Sequence, residues 1–204
     1  WKSNPSKIIC LDNGAYSIKY STGNEDFPIK QLQNSRFNDK NSLFDSLFIE
    51  NINSYKETFS SSCRNFSRPI SRGLLSDIDL EIEIWKKTVS NIEKTKGFES
   101  KINPKDSMFM FSYSPLCPDK VLEGYFQIIF DYFEYDSMFK AIPQYYTAIN
   151  ASSCLPINKS VQLVIDSGFS STTIVPILNK KPVFNAIKRI DVGGKLLTNY
   201  LKDA

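Results

Sequence analysis

Two short segments carry a carboxylate and a glycine at a bend beside apolar, β-branched runs. They are Asp12-Asn13-Gly14, after Lys7 to Leu11, and Asp166-Ser167-Gly168, inside Val164 to Pro176. A turn of this kind brings several backbone N–H groups close to a phosphate, because glycine permits unusual φ values and leaves room for the ligand. The aspartates repel phosphate, so their chemistry would be to hold the waters of a phosphate-bound Mg2+. Lys19 follows Asp12 in the next extended segment, where it could reach back to a phosphate as a point charge. Two such turns facing one another would clamp a polyphosphate from both sides. Taken singly, each is more often an ordinary hairpin turn, because the turn itself favours these residues.

Composition removes competing chemistries. The 204 residues contain no histidine, which excludes Ser-His-Asp triads, histidine general bases and histidine-ligated metals within this chain. Cys10, Cys63, Cys117 and Cys154 lie far apart with no C-x-x-C pair, and read as buried or incidental thiols of a reducing compartment. The net charge of +3 is slight and the basic residues are scattered, so direct sequence-specific DNA binding is not expected. No apolar run approaches membrane-spanning length and no signal pattern is present, so the chain, which begins at Trp1, reads as soluble, intracellular and trimmed, with no membrane partner. The Asn-x-Ser triplets at Asn65, Asn150 and Asn158 then read as chance matches.

The turns need elements to position them, and the pattern supplies strands alternating with helices. Lys7 to Leu11 and Ala15 to Ser21 read as strands around the first turn. From Gln31 to Ser67 an Asn-, Ser- and Lys-rich stretch without clear period reads as an irregular insert. Ile78, Ile82, Trp85, Val89 and Ile92 predict an amphipathic helix capped by Ser76 or Asp77. Ser107 to Tyr113 reads as a strand, and the helix after it carries Leu122, Tyr125, Phe126, Ile129 and Phe133 on one face. Trp85, Tyr125, Phe126, Phe130 and Phe133 are thereby core rather than a ligand platform. A helix within Tyr145 to Ser152, a loop at Pro156 to Lys159, the hairpin of the second turn, a strand at Ala186 to Ile190 and a helix from Lys195 to about Lys202 complete an α/β chain.

The ordered set Leu11-Asp12-Asn13-Gly14, Arg72-Gly73-Leu74-Leu75 before Ile84-Trp85-Lys86-Lys87-Thr88, Ser114-Pro115-Leu116-Cys117-Pro118, Ile165-Asp166-Ser167-Gly168 with Val175-Pro176, and Gly193 to Leu201 resembles the actin family. The resemblance runs along essentially the whole chain in order. It implies the actin/hexokinase/Hsp70-like (ribonuclease H-like) ATPase fold: a first lobe at 1–150, with the insert at 31–67 in place of the small subdomain, and the start of a second lobe at 151–204. By the same resemblance Asp12 and Asp166 would hold Mg2+ through water. Asn13, Gly14 and Ala15 would form the first phosphate loop, Lys19 would be the phosphate lysine, and Ser167, Gly168, Ser170 and Ser171 would belong to the second loop. ATP or ADP with Mg2+ would bind in the full-length protein, while this segment alone would hold none if the adenine and ribose contacts lie beyond it.

Asp-Asn-Gly-Ala-Tyr at the first turn, an aromatic after Asp-Ser-Gly and Gly-Gly-Lys-Leu-Leu-Thr-Asn are most similar to a nuclear, actin-related branch of the family. That implies a subunit of a Swr/SRCAP-type chromatin remodeller that exchanges histone variants, meeting histones through the other subunits. Three positions depart from actin. Phe169 and Ser170 stand where actin has Asp and Gly, and Thr173 replaces the histidine near the hydrolytic water. The glutamine of that site aligns with Gln144 or with Tyr146. Threonine is a poor proton acceptor, so slow or absent hydrolysis is the expectation. The insert lies where actin presents its polymerisation loop and keeps no obvious contact sequence, so filament formation is not expected. An ATP-hydrolysing or phosphotransferase enzyme of the same superfamily is the alternative from another functional class.

Overall fold

The computed structural model describes residues 7–24, 27–38, 65–95, 101–154 and 160–204. Thirteen strands are present among them: β1 (Lys7–Asn13), β2 (Ser17–Thr22), β3 (Lys30–Gln33), β4 (Arg36–Asn38), β5 (Asn65–Ser67), β6 (Ile70–Ser71), β7 (Leu74–Leu75), β8 (Ser107–Ser112), β9 (Ser137–Ala141), β10 (Val161–Ser167), β11 (Thr172–Leu178), β12 (Lys181–Pro182) and β13 (Lys188–Ile190). Four helices are described, α1 (Ile78–Glu93), α2 (Asp119–Phe126), α3 (Pro143–Cys154) and α4 (Gly194–Asp203).

The first sheet has the order β3-β2-β1-β8-β9. β1 pairs antiparallel with β2 and parallel with β8, which in turn runs parallel to β9. The antiparallel pair needs only the short turn after Asp12, whereas the parallel pairs require crossovers, and α1 and α2 lie in those crossovers. Their buried faces meet the sheet in one core, with Trp85 ring-stacked between Phe109 at 4.9 Å and Tyr125 at 5.9 Å. Asp77 caps α1 by accepting a hydrogen bond from the Leu80 amide at 3.0 Å.

The second sheet joins β10, β11 and β12, with β13 also pairing β11. Its smaller core contains Ile142, Ala148, Val175, Ile177 and Ile187, so α3 packs on the hairpin that bears the second turn.

Four expectations are corrected. The stretch from Gln31 to Ser67 is not irregular throughout, since β3, β4 and β5 occupy its ends and Leu32 is fully buried. Pairing with β2 and between β4 and β5 satisfies a polar backbone that carries no apolar periodicity. Residues 39–64, with Cys63 among them, and the loop at Pro156 to Lys159 lie outside the described residues. On α1 the deeply buried stripe is Leu80, Glu81, Ile84, Trp85, Thr88 and Ile92, while Ile78 is exposed: a carboxyl group sits in the core. After α2 the helix widens into a π-turn over Gln127–Tyr132, which rotates the face and leaves Phe130 exposed rather than in the core. The strand expected over Ala186 to Ile190 is present as β13 but begins only at Lys188, because Phe184–Ala186 form a 3-10 turn before it.

Candidate functional site: a cleft between two aspartate turns

The two turns face a common cavity of about 270 Å³. Asp12, Asn13, Gly14, Ala15, Lys19, Asp166, Gly168, Ser170 and Ser171 all line it. Ser167 does not: its hydroxyl lies 3.0 Å from that of Thr172, which donates to Val192 O at 2.8 Å.

The first turn is held from below. Asp12 and Lys19 are direct cross-strand partners on β1 and β2, which explains their spacing, and Lys19 Nζ sits 3.0 Å from Asp12 Oδ2. Both side chains are substantially exposed, so this ion pair contributes little stability. Ser112 at the end of β8 donates to Asp12 Oδ1 at 2.7 Å, and its oxygen accepts from the Asn13 amide at 2.9 Å. The Asn13 side chain turns inward, donating to Glu81 Oε1 at 2.6 Å and to Tyr125 OH at 3.3 Å, and accepting from Trp85 Nε1 at 3.4 Å. Burial drives the Glu81 carboxyl up to about 8, against the opposing pull of its bond from Asn13, so the protonated acid predominates behind the turn at neutral pH. Gly14 is required sterically: a Cβ there would lie 2.7 Å from Ser17 O.

The second turn is held from the side. Gln144, at the start of α3 and 2% exposed, donates from Nε2 to Asp166 Oδ2 at 2.6 Å and to Thr173 Oγ1 at 3.0 Å. Asp166 and Thr173 are themselves cross-strand partners. Gln144 Oε1 is buried and has no partner among the described residues. Tyr146 instead lines a neighbouring, mainly apolar cavity of about 420 Å³ with Cys10, Met110 and Phe111, which adjoins the first cavity at Asp12, Lys19 and Ser112. Cys10 and Cys117 are free thiols. The hairpin closes through Gly168 N–H to Ser171 O at 3.0 Å. The first amides of α4 are spent on this turn, with Gly194 N–H donating to Gly168 O and Lys195 N–H to Phe169 O. Gly193 is needed for that approach, because a Cβ would come within 2.8 Å of three backbone atoms of the turn.

Across the cleft, Arg189 of β13 donates to Ser114 Oγ at 3.3 Å and to Arg72 O, while Asp191 braces its guanidinium at 3.0 Å. Glu81, Ser112, Arg68 and Arg189 were not singled out by sequence reasoning. Glu81 alone leaves a legible mark, an acid four residues before Trp85 on an otherwise apolar face.

A five-stranded mixed sheet and a second sheet, each presenting an Asp-bearing turn to a shared cleft, define the actin/hexokinase/Hsp70-like class, here its first lobe and the beginning of the second. A family model described as Actin matches residues 3–204. The chain belongs to the actin family. It is 31% identical to actin-related protein 6 of Arabidopsis thaliana over 97% of this chain and 46% of that protein. It is 27% identical to actin-related protein 6 of Dictyostelium discoideum, over 97% of this chain and 42% of that protein. An actin-like protein of Caenorhabditis elegans is 31% identical over 96% and 43%. The chain thus spans somewhat less than half the length of these relatives. Among the described residues no helix is long and apolar enough to cross a membrane.

Proposed function

We propose that this chain forms the phosphate-facing part of a non-catalytic, actin-related subunit of a nuclear chromatin-remodelling complex of the Swr/SRCAP type, and that the whole protein keeps an adenine nucleotide with Mg2+ as a structural ligand. The residues present fit the phosphate end of such a ligand. Asp12 and Asp166 reach one cavity and supply hard oxygen donors, Lys19 supplies a cation, and Gly14 and Gly168 leave room for backbone approach. Bound Mg2+ would neutralise phosphate charge; Asp12 and Asp166 would orient its waters.

The observation that carries the non-catalytic reading is the environment of Thr173. Its hydroxyl accepts from Gln144, whose other amide proton is directed to Asp166, and a threonine hydroxyl is a far weaker proton acceptor than imidazole. The unpartnered Gln144 Oε1 favours a second reading, an ATP-hydrolysing enzyme, because an orphaned buried acceptor suits an ordered water. Histones would be met through the other subunits of the assembly.

The test is the nucleotide released by acid from the purified full-length protein and quantified by chromatography, with Asp12→Ala and Asp166→Ala as controls. Near-stoichiometric adenine nucleotide in the wild type only, without phosphate release above background, supports the proposal. Absence of nucleotide after incubation with Mg-ATP removes its ligand part, and turnover abolished by Asp166→Ala replaces it with the enzyme reading. Normal assembly of the remodelling complex in cells lacking the protein would overturn the subunit role.

A further inference from the structure

The rim of the cleft holds a three-part stack that the nucleotide reading does not use. The ring of Tyr16, just past the first turn, lies 5.1 Å from that of Phe169 in the second turn, with the planes 50° apart. Arg68, between β5 and β6, places its guanidinium carbon 5.1 Å from the centroid of each ring. Its Nη1 also donates to Ala15 O at 3.4 Å, Tyr16 O at 3.2 Å and Asn34 O at 3.4 Å. Asn34 in turn donates through its backbone amide to Tyr16 O at 2.9 Å and through its side chain to Gly14 O at 3.0 Å. One cation therefore braces the first turn through carbonyls and grips the second through a ring.

We infer that Tyr16, Arg68 and Phe169 form a clasp that holds the two aspartate turns together with no ligand between them. Asp12 and Asp166 both line the cavity, but Asp12 is held by Lys19 on its own hairpin and Asp166 by Gln144 of α3, so neither of these contacts ties one turn to the other. A guanidinium seated against two ring faces bridges the two turns. Phe169 is central to this arrangement because a ring offers Arg68 a stacking face on the far side of the cleft. It also fills the rim with apolar surface, which favours the closed arrangement by excluding water. The clasp thus joins the two turns at the rim, alongside the Arg189 contacts across the cleft, before any nucleotide arrives. A partner surface spanning both would then find its binding face already assembled.

The test is amide hydrogen exchange, read by mass spectrometry, on the full-length protein stripped of nucleotide. Arg68→Ala and Phe169→Leu are each expected to raise exchange about tenfold in residues 13–17 and in residues 168–172 together, while the β8 segment 109–111 stays protected. Faster exchange confined to residues 13–17 in Arg68→Ala would make Arg68 a local brace and overturn the clasp, as would Phe169→Leu with no change in the first turn. If Arg68→Ala also exposes β8, the bulk-preserving Phe169→Leu decides the matter. Because exchange is read without nucleotide, failure of the nucleotide proposal leaves this inference intact, and the reverse also holds.

Discussion

Gln144 and Asp166 lie 2.6 Å apart, amide to carboxylate, across the junction of α3 and β10. The contact holds the second turn against the helix and keeps the carboxylate aimed at the cleft. Gln144→Glu would face Asp166 with a second carboxylate at the same distance. Destabilisation of roughly 1–3 kcal/mol at neutral pH is expected, partly relieved on acidification as the pair takes up a proton. Chemical denaturation at pH 7 and pH 5 measures it, and equal stability losses at both would show that the charge is not the cause.

Glu81 makes stability depend on pH in a direction opposite to that of most carboxylates. Its folded-state value is raised from 4.5 to about 8, so between those limits the unfolded chain has released a proton that the folded chain retains. The contribution is therefore fully present below about pH 4.5, declines as pH rises, and is lost above about 8, over a range on the order of a few kcal/mol. Glu81→Gln, which keeps an acceptor for Asn13, is expected to flatten this part of the profile. Denaturation midpoints from pH 5 to 9 in both proteins are the measurement.

The glycine of the second turn and the glycine that packs against it should respond differently to alanine. At Gly168 the nearest atom to a new Cβ, Ser171 O, is 3.5 Å away, an ordinary contact, so stability should change by less than about 0.5 kcal/mol. At Gly193 the new methyl meets Phe169 O at 2.6 Å and Ser171 N at 2.7 Å, backbone atoms that cannot rotate aside. A loss of about 1–3 kcal/mol is expected there. Thermal melts of the two variants side by side give the comparison.

Lys19→Ala separates ligand binding from folding. The Lys19–Asp12 pair is exposed enough that its removal should cost no more than about 1 kcal/mol. Retained nucleotide should nevertheless fall clearly below the wild-type content, because a point charge at the first turn is gone. Unchanged nucleotide content would assign Lys19 to the Asp12 ion pair alone.

Trp85→Ala should be the most damaging of these changes, costing about 3–5 kcal/mol, because the indole is fully buried between Phe109 and Tyr125 and also donates to Asn13. Urea denaturation checks the figure.

Both turns, α1, α4 and the hairpin of the second turn were legible because local chemistry specifies them: glycine and aspartate at bends, a capping residue before a periodic helix, alternating β-branched strands. The cross-strand pairing of Asp12 with Lys19 follows from the hairpin of the first turn and depends on no distant segment. What stayed hidden depends on contacts between distant segments. Ser112 reaches Asp12 only because β8 lies beside β1, one hundred residues away. The rotation of the α1 face toward Glu81 follows from an inward-turned Asn13 that satisfies the acid, and an apolar count alone treats such an acid as solvent-facing. Phe130 was misplaced because a π-turn, which leaves no compositional mark, shifts the helical period. The polar edges of the 31–67 stretch pair as strands through backbone groups, which composition does not report.

Arg189 gives the cleft an unusual relation to ionic strength. Its bonds across to Arg72 O and Ser114 Oγ join a cation to uncharged oxygens, and Asp191, its only carboxylate partner among the described residues, sits two positions away on its own side. Salt screens interactions between separated charges far more than short contacts between a charge and a neutral acceptor. The seam between the two sheets should therefore persist at ionic strengths that weaken exposed ion pairs such as Lys19–Asp12.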